Sequence, residues 1–171
     1  MLSGKHSHDR ELTASQEHYL RAIWELRSRR GYARLADLAR ALDVTPATLS
    51  VGLRPLEANR LLAHDDQRFL LLTPAGERKA REVHHRFVVL RSFLVDVLRV
   101  PTATAEREAD KIEHDVSAAT TERLVDFLKL LQDDREFGPL FRARFDAFHR
   151  SCGPSHACAD CGLACLTAPP R

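Results

Sequence analysis

Long apolar segments are missing from this 171-residue chain. The most apolar stretch, Phe87–Leu98, is interrupted by Arg91 and Asp96 and falls short of the roughly 20 residues that cross a membrane. The first ten residues are polar and lack the apolar core of a signal peptide. We therefore expect a cytoplasmic protein without membrane spans.

Cysteine is scarce, and all four cysteines lie within the last twenty residues, as Cys152, Cys158, Cys161 and Cys165. A tight cluster in a reducing cytosol indicates metal or redox chemistry rather than disulfides. The C-x5-C-x2-C-x3-C spacing fits an iron–sulfur cluster better than Zn2+, because structural zinc sites draw cysteine pairs from separated loops. A tail with reduced, unliganded thiols is the alternative.

The sequence also lacks a nucleophile placed beside a base and an orienting group, so we do not expect an enzyme. The net charge is only +2, but it is unevenly distributed. Residues 1–91 carry 16 Lys/Arg against 11 Asp/Glu, whereas residues 92–171 carry 10 against 13. A basic first part and an acidic second part suit a nucleic-acid-binding domain joined to a second domain.

Capping signals divide the first half of the chain into helices. Thr13, with Gln16 three residues later, predicts a capping box that starts the first helix, and Gly31 ends that helix. Thr45-Pro46 and Thr73-Pro74 each predict an N-cap followed by proline at the first helical position.

A short helix at residues 34–42, a turn and the helix from Pro46 form a helix-turn-helix pattern. Two strand-like runs at residues 61–64 and 69–72 follow as a hairpin, or wing. Leucines predict the buried face of the helix from Pro46. The side chains left facing outward there are Ala47, Thr48, Ser50, Val51 and Arg54.

Three potential metal ligands occur close together late in the chain. If the segment is helical, Asp110, Glu113 and His114 stand at positions i, i+3 and i+4 and share one face. Two carboxylates and an imidazole suit a divalent metal such as iron or manganese. A solvated acidic helix face with an unrelated histidine is the alternative.

Apolar stripes at residues 87–98 and 121–132 indicate a helical dimerisation unit. The predicted fold class is mainly α, with a winged helix-turn-helix DNA-binding domain followed by an α-helical dimerisation and metal-binding domain. The expected division is a disordered N-terminus at residues 1–12, the DNA-binding domain at 13–75, the helical dimerisation and metal-sensing domain at 76–150, and a cysteine-rich tail at 151–171.

Four short motifs follow one another along this pattern. They are Gly31-Tyr32-Ala33-Arg34, Leu71-Leu72-Thr73-Pro74-x-Gly76, Arg91-Ser92-Phe93-Leu94 and Ile112-Glu113-His114-x-x-Ser117. With the winged helix, they resemble the diphtheria toxin repressor family over about residues 13–132. The smaller manganese transport regulators are most similar, because no third, SH3-like domain follows. The resemblance implies a homodimer that binds double-stranded DNA, at a near-palindromic operator, when it is loaded with divalent metal.

Carried over position by position, the resemblance implies a metal site formed by His18, Asp110, Glu113 and His114. Donors without sulfur suit Fe2+ or Mn2+. The resemblance also places the helix from Pro46 in the major groove. The implied DNA contacts are Pro46, Ala47, Thr48, Ser50, Val51 and Arg54, with Arg34 and Arg68 on phosphates.

The family's second metal position is not expected to survive in this chain. Phe87 stands where a ligating histidine is usual, and Arg21 and Arg91 stand where acids are usual. Phenylalanine cannot ligate a metal, and a guanidinium repels a cation. We therefore expect one ion per subunit at the helical site.

The expected function is a metal-responsive regulator that represses transcription. Two other functions stay open. One is an iron–sulfur or thiol redox sensor on a winged-helix scaffold, and the other is a metal-handling accessory protein that binds no DNA.

Overall fold

The computed structural model describes residues 12–152, apart from the side chains of residues 149, 151 and 152. Within that range the chain forms seven α-helices and one two-stranded sheet. The predicted mainly α fold class is confirmed. Of the segment predicted to be disordered, residues 1–11 lie outside the described range, whereas Leu12 packs partly buried against the core. The cysteine tail beyond residue 152 lies outside it too.

The first helix, α1, spans Ala14–Arg30 and starts at the predicted capping box. The Thr13 hydroxyl accepts from the Gln16 backbone N–H at 3.3 Å, and the Gln16 side chain accepts from the Thr13 N–H at 3.1 Å. Gly31 ends the helix at φ 80°, a left-handed conformation that glycine adopts without steric cost. Leu20 and Ile23 are fully buried and anchor α1 in the core.

Helices α2 (Leu35–Ala41) and α3 (Pro46–Ala58) form the predicted helix-turn-helix. Thr45 caps α3 by accepting from the Thr48 N–H at 3.1 Å, while proline at the first helical position loses no hydrogen bond. The buried face of α3 consists of Leu49, Leu53 and Leu56. Because this face packs into the core with α1, the opposite face is left to solvent.

The wing is a two-stranded antiparallel hairpin. Strand β1 (Leu62–His64) pairs with β2 (Leu70–Leu72), and Leu62 lies opposite Leu72. A single bridge between Arg34 and Phe69 attaches the hairpin to the start of α2. The wing therefore lies beside the helix-turn-helix.

Helix α4 (Pro74–Ser92) continues into a π-helical turn at Phe93–Val97 and is followed by α5 (Thr102–Ile112). At Gly76 an added Cβ would lie 1.9 Å from the Leu61 carbonyl oxygen, so only glycine permits this close approach of α4 to the wing. Helix α4 packs against both α1 and α5. Helix α4 thereby brings α1, near the start of the chain, close to α5, which begins at Thr102.

The chain divides into two compact units, residues 1–121 and 122–171. The second unit contains most of α6 (Ala118–Asp133) and all of α7 (Phe137–Cys152). The Phe141 ring joins these helices, since its centroid lies 5.9 Å from that of Phe127 and 6.1 Å from those of Phe137 and Phe145. None of the helices between residues 12 and 152 is long and apolar enough to cross a membrane.

Candidate metal centre and DNA interface

Three of the four predicted metal ligands converge where α1 and α5 meet. His18 projects from α1 and Asp110 from the last turn of α5, and Glu113 is the residue that caps α5. One donor atom of each residue lies within 4.8 Å of the others, and His18 Nδ1 is 2.9 Å from Asp110 Oδ1. The helix ends at Ile112, but Glu113 keeps helical angles of φ −57° and ψ −30°. Asp110 and Glu113 therefore share one face as predicted.

The Glu113 carboxylate is the most unusual group in this cluster. Its residue is 0% exposed, and neither carboxylate oxygen accepts a hydrogen bond. Burial raises the pKa of this carboxyl to about 8, although the nearby Arg21 guanidinium lowers it in part. A buried acid without hydrogen-bond donors is costly unless a cation is supplied, so the group fits a metal ligand.

His18 is held in a form that can ligate. Burial lowers the pKa of its imidazole, and the Asp110 carboxylate opposes this lowering only in part. A metal requires the neutral ring, because its lone pair must be free of the proton. The same burial that raises the pKa of Glu113 therefore prepares His18 for coordination.

Arg21 lies inside the cluster. This residue is 6% exposed, and its Nη2 pairs with Asp110 Oδ1 and lies 3.2 Å from His18 Nδ1. Its Nε is 3.3 Å from Glu113 Oε1, without the geometry of a hydrogen bond. The guanidinium also lies over the Phe87 ring, 4.1 Å from its centroid. Arg21 and Phe87, two of the residues expected to exclude a second metal ion, thus pack against each other.

His114, the fourth predicted ligand, lies beside the other three. Its Nδ1 is 3.0 Å from Glu17 Oε2, and its Nε2 is 3.8 Å from Glu113 Oε1. Arg86 on α4 donates to the same Glu17 oxygen at 2.7 Å and to the Glu113 backbone carbonyl at 2.9 Å. His114 is therefore oriented by Glu17, with Nε2 directed toward the cluster.

Glu17 and Arg86 were not predicted from the sequence to lie at this site. Glu17 precedes His18 and stands four residues before Arg21, so helical spacing could have indicated that it approaches the site. Nothing in the sequence marks Arg86, because its role depends on how α4 lies against α1 and the end of α5.

The predicted DNA-contacting residues of α3 share one accessible face. Val51 is 59% exposed, on the side of α3 opposite its buried leucines. An exposed β-branched side chain can contact the methyl group of thymine in the major groove. The other exposed members of this face are Pro46, Ala47, Thr48, Ser50 and Arg54.

Two further predicted contacts flank α3. The Arg34 guanidinium lies 4.8 Å from the Phe69 ring centroid and 5.5 Å from that of Tyr32, which fixes the exposed side chain beside the wing. Arg68 is exposed in the hairpin turn at φ 62°. The Asp65 carboxylate stabilises that turn by accepting from the Phe69 N–H at 2.7 Å. Both arginines are available to phosphates.

Family models match both halves of the chain. Residues 11–70 match the N-terminal DNA-binding domain of iron-dependent repressors, and residues 73–141 match their metal-binding and dimerisation domain. The HTH-type transcriptional regulator MntR of Geobacillus kaustophilus is 31% identical over 122 residues, which are 71% of this chain and 86% of the relative. The chain belongs to the iron-dependent repressor family. MntR of Geobacillus thermodenitrificans is 30% identical over the same shares of both chains.

Solved structures with the repressor fold are also similar to this family member. IdeR of T. acidophilum aligns with a TM-score of 0.61 and 27% identity over 70% of this chain. The manganese regulator SloR aligns with a TM-score of 0.62 and 29% identity over 69% of this chain. The alignments cover 55% of each of those solved chains, so the present chain spans about half of their length.

The family predicted from sequence motifs is thereby confirmed. This iron-dependent repressor family member is a metal-responsive, DNA-binding transcription regulator, with DNA and a second copy of itself as partners. It carries its DNA-binding domain before its metal-binding and dimerisation domain. The family match ends at residue 141, before the first cysteine at position 152.

In the metal-free protein, Glu113→Gln should remove a pH-dependent loss of stability. The folded pKa of about 8 lies above the ordinary value of 4.5, so the unfolded chain releases its proton first as pH rises. The contribution of Glu113 to the free energy of unfolding should therefore fall between about pH 4.5 and about pH 8 and then level off. Urea unfolding with a chelator, at fixed protein concentration, measures the difference between wild type and Glu113→Gln.

Glu108→Gln is the matched control, because Glu108 is an exposed glutamate of α5, the helix that Glu113 caps. It should leave the pH profile of the wild type unchanged. A difference between wild type and Glu113→Gln that stays constant across this pH range would contradict the prediction.

Proposed function

We propose that this chain is a cytoplasmic, homodimeric repressor whose binding to a near-palindromic operator depends on one Fe2+ or Mn2+ ion per subunit. Its role is regulatory and not catalytic. The observation that supports the proposal is the meeting of His18, near the start of the chain, with Asp110 and the buried Glu113 carboxylate. The proposed domains are residues 13–75 for DNA binding and 76–150 for dimerisation and metal sensing.

The proposed ligands are His18, Asp110, Glu113 and His114. Their donors are nitrogen and oxygen without sulfur, a set suited to Fe2+ and Mn2+. A bound ion would supply the positive charge that the buried carboxylate lacks. The two unsatisfied oxygens of Glu113 are the main structural support for such an ion.

His114 is included because of how its ring is held. Metal-ligating histidines usually donate the N–H of the second ring nitrogen to a carboxylate. Glu17 Oε2, 3.0 Å from His114 Nδ1, is placed to accept that proton. This leaves His114 Nε2, 3.8 Å from Glu113 Oε1, as the nitrogen with a free lone pair. Arg86 keeps Glu17 in position through its 2.7 Å contact.

The ligands connect the DNA-binding helices to α5. Helix α1 carries His18 and also packs against α3, which presents the proposed reading face. Asp110 and Glu113 come from the other side of the cluster. Ligation of all three therefore favours one arrangement of α1 against α5 and disfavours looser ones, which is a shift of population by differential affinity.

A single ion per subunit is proposed because the side chains around the place of a second ion are cationic or cannot ligate. Arg21 covers Phe87, and Arg91 Nε pairs with Glu106 Oε1 at 3.1 Å. These cations stand where the resemblance to the family would place acidic ligands. A second divalent ion there would meet two guanidinium groups.

Replacing a ligand should uncouple DNA binding from metal. Glu113→Gln and His114→Ala should each weaken Mn2+ binding by at least about tenfold, because each removes a donor from a small set. Both variants should lose metal-dependent binding to an operator selected from a random duplex pool. Fluorescence anisotropy with Mn2+ added to chelated protein measures the coupling.

His85→Ala is the control for loss of a histidine, since His85 is exposed on α4 outside the cluster. It should bind metal and DNA as the wild type does. Retention of full metal-dependent DNA binding by both ligand variants would refute the proposed centre. Binding of two Mn2+ ions per subunit would refute the single-ion assignment.

Replacing arginines of the proposed DNA interface should have two different effects on DNA binding. Arg54→Ala should reduce discrimination between operator bases, because Arg54 belongs to the exposed face of α3. Arg68→Ala should weaken all duplexes similarly and reduce the slope of log affinity against log salt by about 1, as expected for a phosphate contact. Binding titrations over a salt series separate the two effects.

Arg78→Ala provides the comparison, since Arg78 is exposed on α4 outside α3 and the wing. It should change neither the base preference nor the salt slope. If no duplex is enriched from a random pool under any metal condition, DNA binding is disproved and a metal-handling accessory role is left.

The cysteine spacing favours a second candidate function, redox sensing through an iron–sulfur cluster at Cys152, Cys158, Cys161 and Cys165. Thiolate-ligated iron absorbs visible light, whereas Zn2+ does not. Anaerobically purified protein should therefore be brown and contain iron and sulfide, and Cys158→Ser with Cys161→Ser should bleach it. Ser155→Ala is the control within the same segment. Absence of iron, sulfide and extra zinc would eliminate this function.

A further inference from the structure

Arg21 uses the donor atoms that a metal ion would need. Its Nη2 pairs with Asp110 Oδ1 and lies 3.2 Å from His18 Nδ1. The lone pairs that face this guanidinium cannot face a metal ion at the same time. In this structure the centre therefore already contains a positive charge that is covalently part of α1.

A second acceptor for the guanidinium lies one helical turn further along α1. Glu25 Oε1 is 3.5 Å from Arg21 Nη1, at the i+4 position. This carboxylate is held in place from two sides, since His84 Nδ1 lies 3.2 Å from Oε1 and Arg29 Nη2 donates to Oε2 at 3.1 Å. Arg21 can therefore leave Asp110 and keep a carboxylate partner.

The surroundings leave room for this movement. A cavity of about 760 Å³ is lined by Arg21, Glu25, Phe87 and Asp110 among others. The flat Phe87 ring, 4.1 Å below the guanidinium, can support it in either position by a cation–π contact. A small rotation of the side chain is thus not blocked by packing.

Charge favours keeping Arg21 nearby after an ion enters. Asp110, Glu113 and Glu25 are three carboxylates around one guanidinium. A divalent ion together with Arg21 carries three positive charges and would balance three ionised carboxylates, whereas Arg21 alone balances one. The cluster can therefore hold a divalent ion and Arg21 together, but the two cations cannot both contact Asp110 and His18.

We propose that Arg21 is a tethered cation that competes with the metal ion. In the metal-free chain it holds α1 to α5 through Asp110, and metal binding transfers it to Glu25. The inference rests on the proposed function, because it concerns the same ligands. Its consequence is a raised metal threshold, since entry of the ion requires breaking the Arg21–Asp110 pair.

The first test measures Mn2+ affinity of the full-length, metal-free protein by the electron paramagnetic resonance signal of free Mn2+. Arg21→Gln should bind Mn2+ about tenfold or more tightly than wild type, because the competitor is removed. Arg30→Gln is the matched control, since Arg30 is exposed on the same helix and pairs with Asp37, outside the cluster. It should change the affinity by less than about twofold.

The second test separates transfer to Glu25 from a simple effect of charge. Glu25→Gln should weaken Mn2+ binding several-fold in the wild type, because the displaced guanidinium loses its acceptor. In the Arg21→Gln background the same change should have almost no effect. Glu106→Gln removes a charge that lines the same cavity and stands four residues before Asp110, and it should have little effect in either background.

The outcomes are distinct. If Glu25→Gln weakens Mn2+ binding equally in the wild type and in Arg21→Gln, then Glu25 acts only through its charge. That result would overturn the proposed transfer of Arg21 to Glu25. Arg21→Gln binding Mn2+ no more tightly than wild type would overturn the competition while leaving the metal centre intact. Failure of both proteins to bind Mn2+ would overturn the proposed centre itself. If Arg21→Gln does not fold, an unchanged affinity of the single variant Glu25→Gln is sufficient to reject the inference.

Discussion

The contact between the buried Glu113 carboxylate and its cationic neighbours holds the functional part of this molecule together. Glu113 lies in a position that water does not reach, and its two oxygens have no hydrogen-bond donors. Below its pKa of about 8 a proton can neutralise such a group, and when it is ionised the nearest positive charge is Arg21, whose Nε lies 3.3 Å from Glu113 Oε1. If Arg21 and a bound ion compete as proposed, the contact of α1 with the end of α5 depends on which cation is present.

Such a dependence would give the fold a physical means of regulation. Helix α1 belongs to the core that supports α3, so a change in how α1 meets α5 would alter the support of the proposed DNA-reading face. The Glu17–His114 contact and the two contacts of Arg86 surround the centre on its other side. They connect α1, α4 and the residues after α5 through charged groups and a backbone carbonyl, whereas the rest of the core is apolar.

Relatives with 30% identity show the family but not the details of its metal centre in this chain. Asp110 and His18 stand where the diphtheria toxin repressor family commonly has other ligating residues, yet both still offer donor atoms to a divalent ion. Arg21 and Phe87 change the chemistry more, because one side chain brings its own charge and the other cannot ligate. We therefore propose that residues around the ligands contribute to the metal response as much as the ligands themselves.

The sequence by itself determined the helix starts and the shared face of Asp110 and Glu113. Thr13, Thr45 and Thr73 cap their helices as predicted, because capping depends on residues within one turn. The spacing of Asp110 and Glu113 placed them on one face for the same local reason. Only the tertiary structure decided that Arg21 lies among the ligands and that Arg86 and Glu17 orient His114. Those contacts join residues between 27 and 97 positions apart, and no local spacing encodes them.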